Sequence, residues 1–346
     1  GQFWIGTPAA HLLPWAGPHG LALLTLSAFL PLTFLRRNLA VALVPPGLAA
    51  AAVFALPAPP EAGQSGKTVR IVQPNAPQDL KWHPDHRWEF VRRAAAYSAE
   101  APEPDLIVWP ETTVPQLMNY ADGTLRQISE SAGGVPVLLG IQREQAGAYY
   151  NSAVLLDTAG QAVATYDKAH LVPFGEYVPF GDFMARFGIS GFASQAGAGY
   201  AAGPGAQVMD LPIGTALPLI CYEAVFPQDV NAAVPRPQML VQITNDAWFG
   251  TRSGPYQHLV QAQMRALEQG LPMIRAANTG VSAMIAPDGQ LLDSLPLGEA
   301  GFIDAELPAP LPPTLYSRTG DWPVFLLCLF GASAAALSSR ALARRS

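Results

Sequence analysis

The formal charges of this chain are segregated along it, and that constrains the fold more than any other feature. Residues 1–60 carry two, Arg36 and Arg37, and residues 322–346 carry three, Arg340, Arg344 and Arg345. The other 15 of 20 Lys/Arg and all 26 Asp/Glu lie in residues 61–321, which gives that middle a net charge of −11. Only 13% of the 346 residues are charged, against about 25% in an ordinary soluble domain. The chain therefore reads as two apolar ends around an acidic middle. Uncharged runs at 21–35, 38–56 and 322–339 suit the roughly 20 apolar residues needed to cross a hydrocarbon core. They predict a membrane region over 1–60 with helices at about 18–35 and 38–56, and a C-terminal transmembrane helix over 322–339. Pro31, Pro45 and Pro46 are the expected kinks. Basic residues stay on the cytoplasmic side, so Arg36, Arg37 and the basic tail 340–346 face the cytoplasm. The acidic middle then lies outside, which in a bacterium is the periplasm, and Trp4, Trp15 and Trp322 suit the interfaces. An acidic domain lacks the footprint of a nucleic-acid binder. Two cysteines, Cys221 and Cys328, exclude a disulfide scaffold.

Residues 61–67 read as a linker into a domain over 68–310. There, short apolar runs alternate with helical patterns. Strands are expected at 69–73, 106–109, 135–141, 152–156, 217–221, 239–244, 273–277 and 281–286, with helices at 85–101, 122–132 and 255–269. Strands separated by helices make a layered α/β fold. Asp288-Gly289 signals a hairpin within 286–292, and a second is expected at 156–163.

Three polar residues follow apolar strands, where α/β folds place their sites: Glu111 in LIVWPETTVP, Lys168 in TYDKAHLVPFGEYVP and Cys221 in LPLICYEAVFP. A thiol needs a base to become a nucleophile, and a carboxylate can serve. A lysine can hold the oxyanion that attack on a carbonyl creates. Together they form an acyl-transfer set, although each alone also fits a packing or turn role. Lys168 is one of only three lysines and has apolar, aromatic neighbours. Glu176 and Glu223 are candidates for keeping the lysine charged and the base fixed. Tyr222 is a candidate for shaping the thiol pocket, and Asn245 with Asp246 for ordering the loop beside Cys221. Arg275, Asn278 and His170 read as structural. Phe180, Phe183, Met184 and Phe187, with Phe192, form a hydrophobic arm ahead of a Gly/Ala-rich stretch, a candidate lipid-access element. The six histidines make no ligand set with Cys, so no metal is expected.

These motifs resemble the carbon–nitrogen hydrolase (nitrilase) superfamily and, within it, the apolipoprotein N-acyltransferases of bacterial inner membranes. WPET, YDKAHLVPFGEYVP, ICYE, TNDAWFG and RAANTG carry the resemblance over residues 69–306. It implies a nitrilase-like α-β-β-α sandwich flanked by transmembrane helices, with the catalytic domain in the periplasm of a multi-pass inner-membrane protein. It also implies an acyl chain passed from a phospholipid donor, through a Cys221 thioester, to the N-terminal amine of a diacylated apolipoprotein. Glu111 would be the base, Lys168 the oxyanion partner, and Trp82 in PQDLKWHP a substrate-handling position. No cofactor is implied. Family members have more membrane spans, and the chain begins with Gly, so it is expected to be the C-terminal part of a longer protein. Two rival readings are a membrane-tethered amidase with water as acceptor and a catalytically inert binding domain.

Overall fold

The computed structural model describes residues 2–179 and 199–343. They fall into two compact units, one of Gly1–Glu61, Leu267–Gly270 and Leu311–Ser346, the other of Ala62–Ala266 and Leu271–Pro310.

The first unit is helical. One run, Pro8–Phe34, with mean hydropathy 1.3, is long and apolar enough to cross a membrane by length and composition. It begins well before residue 18, because Pro8 and Pro14 occupy first-turn positions, where a missing N–H costs nothing. Its one non-helical residue is Gly17 (φ +60), ahead of Pro18, and around Pro31 the run passes from α-helix into a 3₁₀ turn over Leu30–Phe34. A Cβ on Gly17 would stand 2.1 Å from the Tyr316 ring, so the break seats that aromatic side chain. Pro45 and Pro46 lie inside the helix Leu39–Ala55. That helix and Trp322–Leu337, part of the helix Trp322–Ala343, are shorter apolar helices. Trp15 and Trp322 are exposed, whereas the Trp4 indole donates to Thr25 Oγ1 at 2.8 Å.

The second unit is a sandwich of two sheets. Its strands are β1 (Gln64–Gln73), β2 (Leu106–Val108), β3 (Val114–Leu117), β4 (Val137–Gln145), β5 (Ala148–Leu156) and β6 (Ala162–Asp167). They continue with β7 (Met209–Leu211), β8 (Gly214–Ile220), β9 (Met239–Thr244), β10 (Met273–Ala277), β11 (Ser282–Ile285), β12 (Leu291–Leu295) and β13 (Gly301–Pro308). The first sheet runs β13-β1-β2-β4-β5-β6 with β3 beside β4, and the second β12-β11-β10-β9-β8-β7. Central pairs such as β1–β2, β2–β4, β8–β9 and β9–β10 are parallel. Both expected hairpins form, as the antiparallel pairs β5–β6 and β11–β12.

Strand side chains alternate between faces, and here that alternation sorts the core into layers. Ile71, Val108, Leu138, Ile220, Val241 and Ile274 meet between the sheets. Val72, Ile107, Leu139 and Val154 instead pack with Val91 of the helix Arg87–Ser98 and Ile128 of the helix Asp122–Ser131. On the other outer face Leu217, Leu240 and Ile285 pack with Leu259 and Ala262 of the helix Ser253–Gln269. The result is the α-β-β-α order. Strand β1 begins inside the segment read as a linker and pairs with β13, Gln64 opposite Pro308. Just beyond that pair, the Ala309 N–H donates to the Gly63 carbonyl at 2.7 Å.

Candidate active site

Loops leaving β2, β6, β8 and β9 supply Glu111, Lys168, Cys221 and Asn245 respectively. The turn bearing Glu111 is anchored by Trp109, whose buried indole donates to Ser98 Oγ at 2.9 Å. It lies directly on β4 at Gly140, where a Cβ would stand 2.4 Å from the Thr112 nitrogen and 2.6 Å from Glu111 Cα. Only glycine permits that approach. The turn leaves both carboxylate oxygens of Glu111 satisfied. Oε1 accepts from Asn151 Nδ2 at 2.7 Å, and Oε2 from the Asn245 backbone N–H at 2.8 Å.

Lys168 is buried beside this carboxylate. Its Nζ donates to Glu176 Oε1 at 2.8 Å and lies 3.8 Å from Glu111 Oε1. Burial alone would lower its pKa, but Glu111, Cys221 and Glu176 outweigh burial and raise it, so the ammonium stays charged. Glu176 is held by the Val172 N–H on Oε2 at 2.8 Å.

Cys221 begins a short 3₁₀ turn with φ +52, a left-handed conformation that costs a non-glycine residue about 1–2 kcal/mol. Its carbonyl oxygen is held by Gln242 Nε2 at 3.1 Å and His258 Nε2 at 3.0 Å. Behind them His258 Nδ1 lies 2.8 Å from Asp246 Oδ1, and Arg275 donates to Asp246 Oδ2 at 2.6 Å and to Gln242 Oε1. All four side chains are buried. Burial would raise the Asp246 pKa, but Arg275, His258 and Thr244 hold it down to about 2. Burial, with Glu111 nearby, pushes the Cys221 thiol up to about 12, against the opposing pull of Lys168 and Thr244.

Glu223 ties the two sheets together at the site. Oε1 accepts from Tyr166 Oη at 2.8 Å, the Ala169 N–H at 2.8 Å and the His170 N–H at 3.2 Å, and Oε2 from the Ile220 N–H at 2.7 Å. The loop carrying Lys168 and the end of the strand that leads into Cys221 thus share one buried carboxylate. Tyr222 packs edge-on against His170 and Phe226. His170 stacks on Phe226 and meets Asp229 Oδ2 at 2.6 Å. Trp82 is partly exposed. Asn245 bridges Gln78 and Asn278 at 2.9 and 2.8 Å. Phe180, Phe183, Met184, Phe187 and Phe192 lie outside the described residues.

The structure therefore brings Glu111, Lys168, Glu176, Cys221 and Asn245 to one place, with Glu223 behind them. The sequence reading did not single out Asn151, His258, Gln242 or Lys81. Asn151 had a visible signal, a polar residue opening an otherwise apolar strand run. His258 had none, because its partners lie 12 and 37 residues away in sequence. Among the described residues no group of three His, Cys, Asp or Glu is placed to hold a metal ion. A cavity of about 560 Å³ is lined by Tyr166, Leu171, Tyr200, Leu217, Leu219 and Glu223, but not by Glu111, Lys168 or Cys221. The site is accordingly defined by its polar geometry.

The chain belongs to the carbon–nitrogen hydrolase family, which it matches over residues 68–311. Within that class it is similar to proteins named apolipoprotein N-acyltransferase. It is 37% identical to the one from Bradyrhizobium diazoefficiens over 92% of this chain and 65% of that protein. It is 38% identical to that of Rhodopseudomonas palustris over 90% and 63%, and 40% identical to that of Brucella suis over 80% and 54%. The chain thus spans between about half and two thirds of the length of these relatives. In fold it is similar to an amidase from a Nesterenkonia species, with TM-score 0.54 and 23% identity over 73% of this chain and 94% of that one. A cysteine variant of that amidase gives TM-score 0.55 and 21% identity over 75% and 96%.

Proposed function

We propose that this chain carries the acyl-transfer centre of an apolipoprotein N-acyltransferase, with its catalytic unit on the periplasmic side of a bacterial inner membrane. The observation that carries the reading is the cluster of Glu111, Lys168 and Cys221, each leaving a strand end and each buried. The similarity to proteins of that name supports the choice of substrates. Glu111 takes the proton of Cys221 as its sulfur attacks an ester carbonyl of a phospholipid. The oxyanion is held by the Lys168 ammonium and a backbone N–H just after Cys221, and collapse expels the lysophospholipid alkoxide, which recovers the proton. Cys221 is left as a thioester. The amine of an S-diacylglyceryl cysteine then attacks that thioester while Glu111 accepts its proton, and the thiolate leaves and is reprotonated. Glu176 and Asn151 keep Lys168 and Glu111 in register.

The test supplies the chain with phospholipid vesicles and a diacylated lipopeptide, and follows the products by mass. A thioester adduct on the protein, a triacylated peptide and neither in Cys221→Ala are expected. Release of free fatty acid to water with no triacylated peptide would mark a hydrolase and defeat the proposal.

A further inference from the structure

Lys81 is buried at 5% exposure although it is a charged residue in a segment that also carries Asp79, His83 and Asp85. It sits in a turn in which its own N–H donates to the Pro77 carbonyl at 2.8 Å. Its Nζ donates to the Glu111 carbonyl oxygen and to Thr112 Oγ1, both at 3.0 Å. The same ammonium lies 5.7 Å from the centroid of the Trp82 ring, cation–π distance. Among the described residues no carboxylate is in direct contact with it. Taking an ammonium out of water without such a partner is costly, and burial pushes its pKa down to about 8, with Glu111 and Cys221 pulling it back up. Packing can be provided more cheaply by a methionine or leucine, so a structural account of Lys81 is weak. Thr112 meanwhile holds φ +45, a conformation rare outside glycine, and Lys81 clamps the residues on both sides of the peptide bond leading into it.

We propose that Lys81 is a positioning residue for the acyl-transfer reaction. It locks the Glu111–Thr112 peptide so that the Glu111 carboxylate is aimed into the site, and it adds to Lys168 a second buried positive charge that acts on Glu111 and Cys221. Proton transfer from Cys221 Sγ to Glu111 moves one negative charge from the carboxylate to sulfur and leaves the total unchanged. The two ammonium groups make the cluster tolerant of that charge wherever it sits. Removing Lys81 leaves one cation to serve Glu111, Glu176 and the forming thiolate. The inference rests on Cys221 as nucleophile, but not on phospholipid as the donor.

The experiment uses the full chain in detergent, in a Cys328→Ser background so that thiol chemistry reports Cys221 alone. Two rates are measured in wild type, Lys81→Met and Lys81→Ala. One is alkylation by iodoacetamide at pH 7, which needs no acyl donor. The other is acyl-enzyme formation from phospholipid, read by intact mass at several lipid concentrations. Both rates are expected to fall ten-fold or more in each variant, with little change in the half-saturating lipid concentration. In Lys81→Ala, propylammonium is expected to restore much of the rate and 1-propanol none. Wild-type rates in both variants would overturn the proposal, and so would equal rescue by propanol, which marks a space-filling role. Slowed alkylation in the variants, with no acyl-enzyme formed even by wild type, would leave Lys81 in its role and remove phospholipid as donor.

Discussion

With its thiol pushed up to about 12, Cys221 holds only a trace of thiolate at neutral pH, so in the proposed reaction its proton leaves during attack. In the proposed reaction Glu111 then serves as a general base rather than as the partner of a preformed ion pair. Glu111→Gln preserves the shape and the acceptor for Asn151 but removes the base and turns an amide N–H toward the Asn245 N–H. Measured per folded protein, single-turnover acyl-enzyme formation is expected to fall about 10²–10⁴-fold; acylation within a few-fold of wild type would remove Glu111 from that role. Asp246 carries a different load, as the anion that neutralises buried Arg275. Asp246→Asn strands that guanidinium, and urea unfolding is expected to show a loss of about 3–5 kcal/mol. The pH dependence has a definite sign. Asp246 is held down to about 2 from 3.8, so its contribution is present above about pH 4 and is lost as pH falls toward 2. Lys81 has the opposite character. Its pKa is lowered to about 8 from 10.5, so the unfolded chain binds more protons between those values, and wild type gains stability as pH rises through that window. Against Lys81→Met, the stability difference should shift in favour of wild type from pH 8 to 10.5; no change over that interval would contradict the lowered pKa of Lys81.

At the level of elements, the site depends on one strand position without a side chain. Gly140→Ala places a methyl group against the Glu111 backbone. A loss of stability of about 1–3 kcal/mol is expected from overpacking, and turnover should fall further than that loss explains, because the carboxylate moves with its turn. Turnover that simply tracks the folded fraction would contradict this. The elements also show what the sequence made legible. Long apolar runs such as MLVQIT at β9 and helices with one apolar stripe were readable, and with them the loops that carry Glu111, Lys168 and Cys221. Strand β13 was not, because Asp304 and Glu306 interrupt its apolar residues and only pairing with β1 makes sense of the alternation. The break at Gly17 was hidden for a similar reason, since its cause is the ring of Tyr316, almost the whole chain away. Asn151, His258 and Lys81 each act through partners that tertiary structure alone brings near.

At the scale of the whole molecule, charge segregation sets the expected topology. If Arg36 and Arg37 and the tail after residue 339 face the cytoplasm, a fluorescent protein fused after Ser346 should glow in bacterial cells. Alkaline phosphatase fused there should stay inactive, and the reverse pattern would overturn the periplasmic assignment of the acidic unit. The meeting of Gly63 with Ala309 has a consequence of another kind. A domain whose first and last strands lie side by side is entered and left by the chain at neighbouring points. Insertion of such a domain into a loop of another chain need not prise its sheets apart.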